Sequence, residues 1–179
     1  MDIVYFDLET QRTFNDVGGH DRKAEMGISV GVTFSTADNR YEIFSEARVG
    51  DLANRLRRAD LVVGYNLIDF DYEVLMGYVA FDFAQFVPTL DMLVDIEKAL
   101  GRRLKLEDVA MGSLGIGKTG DGLDAIRWFR EGRFVEIAEY CCYDVKVTRL
   151  VHEFGMQNGR VEFMDRMGGR KSVDVAWKL

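Results

Sequence analysis

The chain has 179 residues, enough for one compact domain with a hydrophobic core and too few for two comfortable ones. Hydrophobic residues make up 47% and charged residues 30%, which excludes a disordered chain, and neither a membrane-spanning run nor a secretory signal is visible. The net charge of −7 disfavours a protein that coats duplex nucleic acid, although it permits an enzyme that grips one strand end through metal ions and a few cations.

The hydrophobic pattern predicts strands first and helices later. Strands are predicted at residues 3–8, 28–34, 40–44, 61–64 and within 87–93. Helices are predicted at residues 51–59, capped by Asp51, and at 72–78, 92–100, 106–111, 123–130 and 134–154. This order predicts an α/β three-layer domain with a mixed sheet. We expect residues 1–155 to form the domain and residues 156–179 to form an extension packed on it.

The first group of candidate functional residues, Asp7 and Glu9, lies at the end of the first predicted strand. Side chains two apart on a strand share a face, so both carboxylates point the same way. The apolar residues before them predict a central strand, and sheets of this kind bind ligands at the carboxyl edge of such strands. A solvated strand end is the alternative.

A second acidic group, Asp69 and Asp71, follows the predicted strand at 61–64 and precedes a helix. Aspartate is a frequent helix N-cap, so we expect one of the two to cap the helix. The other is then available to bind a metal.

The third group, Tyr140 and Asp144, lies in the long helix predicted at 134–154. Asp144 falls on its apolar stripe, where a carboxylate is costly unless it is paired or bound to a metal. Tyr140 is one turn away on the same face, so a purely structural Asp–Tyr pair is the alternative. The neighbouring Cys141 and Cys142 cannot form a useful disulfide and fit a reducing, cytoplasmic setting.

Convergence of these acids would require cations. Four carboxylates within about 5 Å of one another repel by roughly 3 kcal/mol per pair at an effective dielectric constant near 20. Ligands that offer only oxygen suit Mg²⁺ or Mn²⁺. Two such ions can clamp the attacking and leaving oxygens of a phosphoryl displacement.

The three groups resemble the motifs of the DEDDy subgroup of the DnaQ-like 3′→5′ exonucleases. Residues 6–10 (FDLET) match the Exo I pattern, residues 65–71 (YNLIDFD) the Exo II pattern and residues 140–144 (YCCYD) the Exo III pattern. The Exo II spacing is most similar to that of the proofreading domains of family B DNA polymerases. Each motif alone is weak, whereas three in order on the expected elements are a strong signal.

The resemblance implies an RNase H-like three-layer fold with a mixed five- or six-stranded sheet flanked by helices. It also implies hydrolysis of single-stranded 3′ ends by two Mg²⁺ or Mn²⁺ ions, which releases nucleoside 5′-monophosphates. Asp7 would bridge both ions, Glu9 and Asp144 would hold the ion that carries the attacking water, and Asp71 would hold the other. Tyr140 would position that water.

This chain departs from the family in one place. Asp69 stands where family B polymerases tend to carry asparagine, so two aspartates compete for one ligand role, and we favour Asp71. The histidine variant of the family does not apply, because Glu139 occupies the position of its histidine.

Within and beside these motifs we predict four substrate contacts, namely Thr10, Asn66, Phe70 and Lys118. The expected partner is the 3′ end of a single-stranded nucleic acid, with DNA favoured over RNA. A polymerase or helicase is a candidate protein partner, and no membrane partner is expected.

Residues 112–119 (GSLGIGKT) match the phosphate-binding P-loop pattern, which supports a rival function as a nucleotide hydrolase using Lys118. That mechanism requires a buried strand before the loop and a helix that starts at Lys118 and Thr119. Instead, the preceding residues are predicted to be helical. We therefore favour a glycine-rich connector, and keep the hydrolase and a non-catalytic, nuclease-like binding subunit as alternatives.

The other polar candidates are predicted to lie on the surface. Arg102, Arg103 and Lys105 are candidates for contacts with a nucleic acid, although a solvated face is the favoured expectation. His20 and His152 lack the spacing of a metal site, so both are expected to be surface residues.

Overall fold

A computed structural model describes residues 1–117, 122–165 and 167–178 of the chain. Its main feature is a five-stranded mixed sheet in the order β3-β2-β1-β4-β5, in which β1, β2 and β3 are antiparallel and β1, β4 and β5 are parallel. These strands are β1 (Ile3–Thr10), β2 (Ile28–Ser35), β3 (Arg40–Ser45), β4 (Leu61–Gly64) and β5 (Thr89–Asp91). A separate hairpin near the C-terminus pairs β6 (Arg160–Met164) with β7 (Arg170–Asp174).

Helices cover both faces of the sheet. They are α1 (Phe14–Val17), α2 (Val49–Arg57), α3 (Tyr72–Leu75), α4 (Phe83–Phe86), α5 (Met92–Leu100), α6 (Leu106–Leu114), α7 (Gly122–Arg130) and α8 (Phe134–Asn158). Helices α2 to α4 pack on one face, whereas α5 to α8 and the hairpin pack on the other. The predicted RNase H-like, three-layer α/β fold with a mixed sheet is confirmed.

The central position of β1 follows from its unbroken apolar sequence. Val4, Phe6 and Leu8 belong to the core beneath α2 and α3, while Ile3 and Tyr5 belong to the core beneath α8. A strand that buries both sets must be covered on both faces. Because side chains alternate, the odd-numbered residues that follow also project toward α8.

Several predicted helix limits are wrong, among them the end at residue 111 of a helix that continues to Leu114. Helix α2 begins at Val49 with Arg48 before it, so Asp51 lies inside the first turn and does not cap. The helix predicted at 72–78 ends at Leu75. The last helix continues past 154 to Asn158, because Gly155 packs against the Trp177 ring and the left-handed Gly159 ends the helix instead. The proposed division at residue 155 stays a prediction, and this boundary falls within α8.

The predicted surface position of His152 is wrong. Its side chain is fully buried, and Nδ1 lies 2.9 Å from the Tyr5 hydroxyl oxygen. Burial lowers the pKa of His152 to about 4, so the ring is neutral at physiological pH. The prediction failed because α8 is covered twice, by the sheet on one side and by Trp177 on the other.

Over the described ranges, no helix is long and apolar enough to cross a membrane.

The hairpin approaches α6 closely enough to require glycine at position 112. A Cβ atom there would lie 2.4 Å from Phe163 Cα, and backbone cannot move aside cheaply. We expect Gly112→Ala to lower the free energy of unfolding by about 2 kcal/mol or more. Gly50→Ala on α2 is the matched control, because its Cβ would meet nothing within 4 Å. Urea unfolding of both variants checks this, and equal stabilities would contradict it.

Candidate active site

Three carboxylates from two elements meet above the carboxyl end of β1. Oxygen atoms of Asp7, Glu9 and Asp144 all lie within 4.8 Å of one another. Asp7 and Glu9 project from the face of β1 that α8 covers, and Asp144 comes from α8 itself. The structure therefore brings together the first and third groups of predicted ligands.

Asp71 lies beside this group, in a π-helical turn between β4 and α3. Its side chain is 3% exposed, and Oδ1 accepts a hydrogen bond of 3.1 Å from the backbone N–H of Leu8, between Asp7 and Glu9. Asp69, in the same turn, instead points outward to Lys23.

The prediction that one of these two aspartates caps the helix is wrong. Within the described residues, neither Asp69 nor Asp71 accepts a capping hydrogen bond from α3. The turn runs directly into α3, so the first N–H groups of the helix already bond to backbone carbonyls. Tyr72, for example, donates to the Leu67 carbonyl oxygen. This arrangement needs no side-chain cap.

The electrostatics of the cluster favour protons or cations. Burial, and then the charges of neighbouring carboxylates, raise the pKa of Asp7, Glu9 and Asp71 well above their usual ranges. Asp144 is the neighbour that acts most on Asp7, and Asp7 acts most on both Glu9 and Asp71. A divalent cation would remove this repulsion, and a set of oxygen ligands suits Mg²⁺ or Mn²⁺.

Tyr140 lies one turn before Asp144 on α8 and hydrogen-bonds to its side chain. Burial, followed by the charge of Asp144, raises the pKa of the Tyr140 hydroxyl, so this group remains protonated. The Trp128 ring of α7 contacts Tyr140 edge to face, with 6.1 Å between ring centroids. This contact restricts the position of the phenol ring.

Cys141 is a site residue that the sequence pattern placed only in the apolar stripe of α8. Its Sγ atom is buried and lies 3.3 Å from Asp7 Oδ2 and 3.4 Å from the Asp7 carbonyl oxygen. Burial raises the pKa of the thiol, so Cys141 donates to Asp7 as a neutral group. It thereby orients the carboxylate, and hydrophobic periodicity carries no signal of this role.

Asp91, at the end of β5, was also missed. It accepts backbone hydrogen bonds from Asn66 (2.8 Å) and Ile68 (3.0 Å) and caps α5 through Leu93 N–H (3.1 Å). It therefore anchors the turn that carries Asp71. A signal existed, because Asp91 follows a strand parallel to β1 and β4, whose carboxyl ends meet at the same edge.

A cleft of about 370 Å³ opens beside the carboxylates. Asp7, Glu9 and Asp71 line it, together with the predicted substrate residues Thr10, Asn66 and Phe70 and with Phe14. The Phe14 and Phe70 rings meet edge to face, with centroids 5.9 Å apart, and form one apolar wall. The remaining predicted contact, Lys118, lies outside the described residues.

A second pocket, of about 490 Å³, shares Tyr65 and Asn66 with this cleft. Arg102, Arg103 and Lys105 line it and are exposed, as expected of a solvated face. Arg103 in addition donates a hydrogen bond to the Asn66 side-chain oxygen. The basic pocket and the acidic cleft are thus adjacent, and Tyr65 and Asn66 line both of them.

The segment that matches the P-loop pattern follows a helix. Helix α6 contains its first three residues, and Gly115 ends that helix in the left-handed conformation. The strand that a phosphate-binding loop requires before it is therefore replaced by α6.

No family model and no curated protein sequence matches the chain. Among solved structures, the chain is similar to the family B DNA polymerase from the hyperthermophilic archaeon Pyrobaculum calidifontis, with a TM-score of 0.65 and 14% identity. The match covers 87% of this chain and 24% of that polymerase, so this chain spans about a quarter of its length. At this identity the similarity shows a shared fold.

The role of Asp91 predicts a large loss of stability on its removal. Asp91→Ala leaves three backbone N–H groups without their acceptor, two of them in the turn that carries Asp71. We expect the free energy of unfolding to fall by about 3–5 kcal/mol. Asp82→Ala is the matched control: Asp82 caps α4 through one exposed bond to Gln85 N–H, worth about 1 kcal/mol. Equal losses in urea unfolding would contradict the anchoring role.

The raised carboxylate pKa values predict that metal and pH act together on stability. An acid whose folded pKa exceeds its unfolded value, near 4, retains protons that the unfolded chain has lost. Stability without metal should therefore fall as pH rises through the folded pKa. The depressed pKa of His152 acts in the opposite direction below pH 6.5, so the test belongs above that value.

We expect Asp7→Asn to melt at a higher temperature than the wild type in EDTA at pH 8, because it removes one of the repelling charges. Mn²⁺ should reverse this order by stabilising the wild type alone, and more strongly as pH rises. Each kcal/mol corresponds to about 2–4 °C in a chain of this size. Thermal melting at several pH values, with and without Mn²⁺, checks this. A wild type that responds to neither pH nor Mn²⁺ would exclude a metal site here.

Proposed function

We propose that this chain is a metal-dependent 3′→5′ exonuclease of the DEDDy type that hydrolyses single-stranded 3′ ends. The observation that carries the proposal is the convergence of Asp7, Glu9 and Asp144 within 4.8 Å, with buried Asp71 beside them. These acids come from three separate motifs, and their raised pKa values favour bound cations. The similarity in fold to a family B DNA polymerase supports a nucleic-acid substrate.

Two cations, Mg²⁺ or Mn²⁺, would be held by these four carboxylates, with Asp7 shared between them. Glu9 and Asp144 would hold one ion, and Asp71 would hold the other. When bound, the ions supply charge neutralisation and raise the acidity of water at the reacting phosphate. This assignment uses Asp71 rather than Asp69, because Asp71 is buried beside Asp7 and Asp69 faces Lys23.

The chain's own residues would then orient the reaction. Tyr140, whose protonated hydroxyl donates its single hydrogen to Asp144, would position the attacking water by accepting a hydrogen bond from it. The attacking water would lose a proton to solvent as its oxygen forms a bond to phosphorus, while the bond to the 3′-oxygen of the preceding nucleotide breaks. That oxygen leaves with a proton from solvent, and the terminal residue departs as a nucleoside 5′-monophosphate.

The cleft fits an unpaired strand end. Its aromatic wall of Phe14 and Phe70 offers faces on which bases stack without regard to sequence, and Thr10 and Asn66 add polar contacts. DNA is the favoured strand, in line with the polymerase similarity. Three further points remain predictions. They are the contact of Lys118 with a phosphate, the presence of a polymerase or helicase partner, and a cytoplasmic location.

Two other functions make different predictions. A nucleotide hydrolase would lose ATP turnover in Lys118→Ala and keep it in Asp144→Ala, although α6 occupies the place of the required strand. A non-catalytic binding subunit would bind single strands in EDTA and cleave none with any metal.

Release of mononucleotides from a single strand labelled at its 3′ end, with Mg²⁺ or Mn²⁺, tests the proposal. We expect Asp7→Asn to lower the rate by about a thousandfold or more, because it removes the ligand shared by both ions. Asp51→Asn, which removes the same charge from the exposed surface of α2, should keep the wild-type rate. Equal rates for wild type and Asp7→Asn would refute the catalytic assignment.

The same assay separates the role of Tyr140 from simple packing. Tyr140→Phe keeps the ring against Trp128 and loses the hydroxyl, so we expect kcat to fall about 10- to 100-fold with KM little changed. Tyr143→Phe, on the same helix, is the matched control and should behave like the wild type.

A further inference from the structure

Asp69 pairs with two cations, Lys23 and Arg103, and Arg103 also lies 3.6 Å from Glu97. Asp69 Oδ1 lies 3.0 Å from Lys23 Nζ, and Asp69 Oδ2 lies 3.9 Å from Arg103 Nη1. The Asp69 side chain is 59% exposed, whereas that of Lys23 is only 16% exposed. The carboxylate thus bridges the two cations at the protein surface, where a dissolved anion can compete for them.

Both cations lie close to the cleft wall. Lys23 belongs to the 3₁₀ segment His20–Glu25, and Met26, which directly follows this segment, lines the cleft. Arg103 donates to the side chain of Asn66, which also lines it. Phe70, the residue after Asp69, is part of the aromatic wall. An anionic strand seated in the cleft therefore passes within reach of the pair that Asp69 occupies.

We propose that Asp69 acts as an internal counterion that occupies the phosphate-binding positions of Lys23 and Arg103 until a strand displaces it. A carboxylate and a phosphate offer the same kind of paired oxygen acceptors to lysine and arginine. Because the strand must displace Asp69 from both cations, this residue weakens binding of the strand. The inference rests on the proposed function, since it assumes that the cleft receives a nucleic acid strand.

A surface ion pair of this kind is worth at most about 1 kcal/mol to the fold, so stability does not report its role. The salt dependence of strand binding does. When Asp69 pairs with Lys23 and Arg103, few anions from solution gather at these cations. Few anions are therefore released when a strand binds. Without Asp69, Lys23 loses this ion pair and draws anions from solution, whereas Arg103 keeps Glu97 Oε2 at 3.6 Å from its Nη1. A strand that binds Lys23 releases those anions.

The experiment measures binding of a fluorescent single strand by anisotropy, over a series of salt concentrations with Mg²⁺. Every protein carries Asp7→Asn, so that cleavage does not interfere. We expect Asp69→Asn to tighten binding about two- to tenfold at the lowest salt. We also expect it to steepen the plot of log affinity against log salt, because anions gathered at Lys23 are then released when the strand binds. Asp51→Asn, which breaks a 3.0 Å pair with Arg48 elsewhere, should change neither.

Two further variants test the partners. Lys23→Met and Arg103→Met should each weaken binding of the strand. In a protein that carries both of these substitutions, Asp69→Asn should no longer tighten binding. The inference is overturned if Asp69→Asn binds the strand as tightly as Asp51→Asn or more weakly than it. It is also overturned if no variant binds the strand. Nuclease activity is measured separately. An active wild type in which Asp69→Asn does not tighten binding contradicts the inference alone, whereas an inactive wild type contradicts the proposed function.

Discussion

Mutual repulsion among buried carboxylates is the constraint on which the rest of this structure depends. Asp7, Glu9 and Asp71 lie in a region from which water is largely excluded, and their raised pKa values record the cost of charging them together. Two donors offset a part of that cost, the Leu8 N–H group and the Cys141 thiol. Neither carries a formal positive charge. Cations from solution would offset the remaining cost, and the same charges would then link the stability of the site to its proposed chemistry.

The sheet and helix α8 supply the rigidity that such a cluster requires. Asp7 and Glu9 share one face of β1 and lie in the part of the strand that pairs with β2, so neither can turn away from the other. Asp71 lies in a loop turn, yet Asp91 bonds to that turn twice and belongs to the next parallel strand. These bonds tie the turn that carries Asp71 to the end of β5, although the charge of Asp91 itself raises the pKa of Asp71.

The sequence was informative where chemistry is local. Strand alternation in β1 and the fourfold spacing of Tyr140 and Asp144 placed these side chains correctly, because periodicity fixes which residues share a face. Features that depend on distant packing were not predictable in this way. His152 is buried by Trp177 from the far end of the chain, and α8 passes Gly155 because that same ring fills the space beside it. The Cys141 contact likewise depends on how closely α8 approaches β1, a distance that no local pattern encodes.

The two aspartates of one turn show how backbone geometry divides identical side chains between different tasks. Asp69 and Asp71 are two residues apart in a helical turn, so their side chains must leave on different sides. One enters the carboxylate cluster and accepts a β1 N–H group, while the other meets Lys23 and Arg103 outside. The chain has a net charge of −7. Without Asp69, the two cations near the acidic cleft would be attracted to the carboxylate cluster or to solvent. Under the proposed function, Asp69 would hold these cations beside the cleft, where a strand would need positive charge.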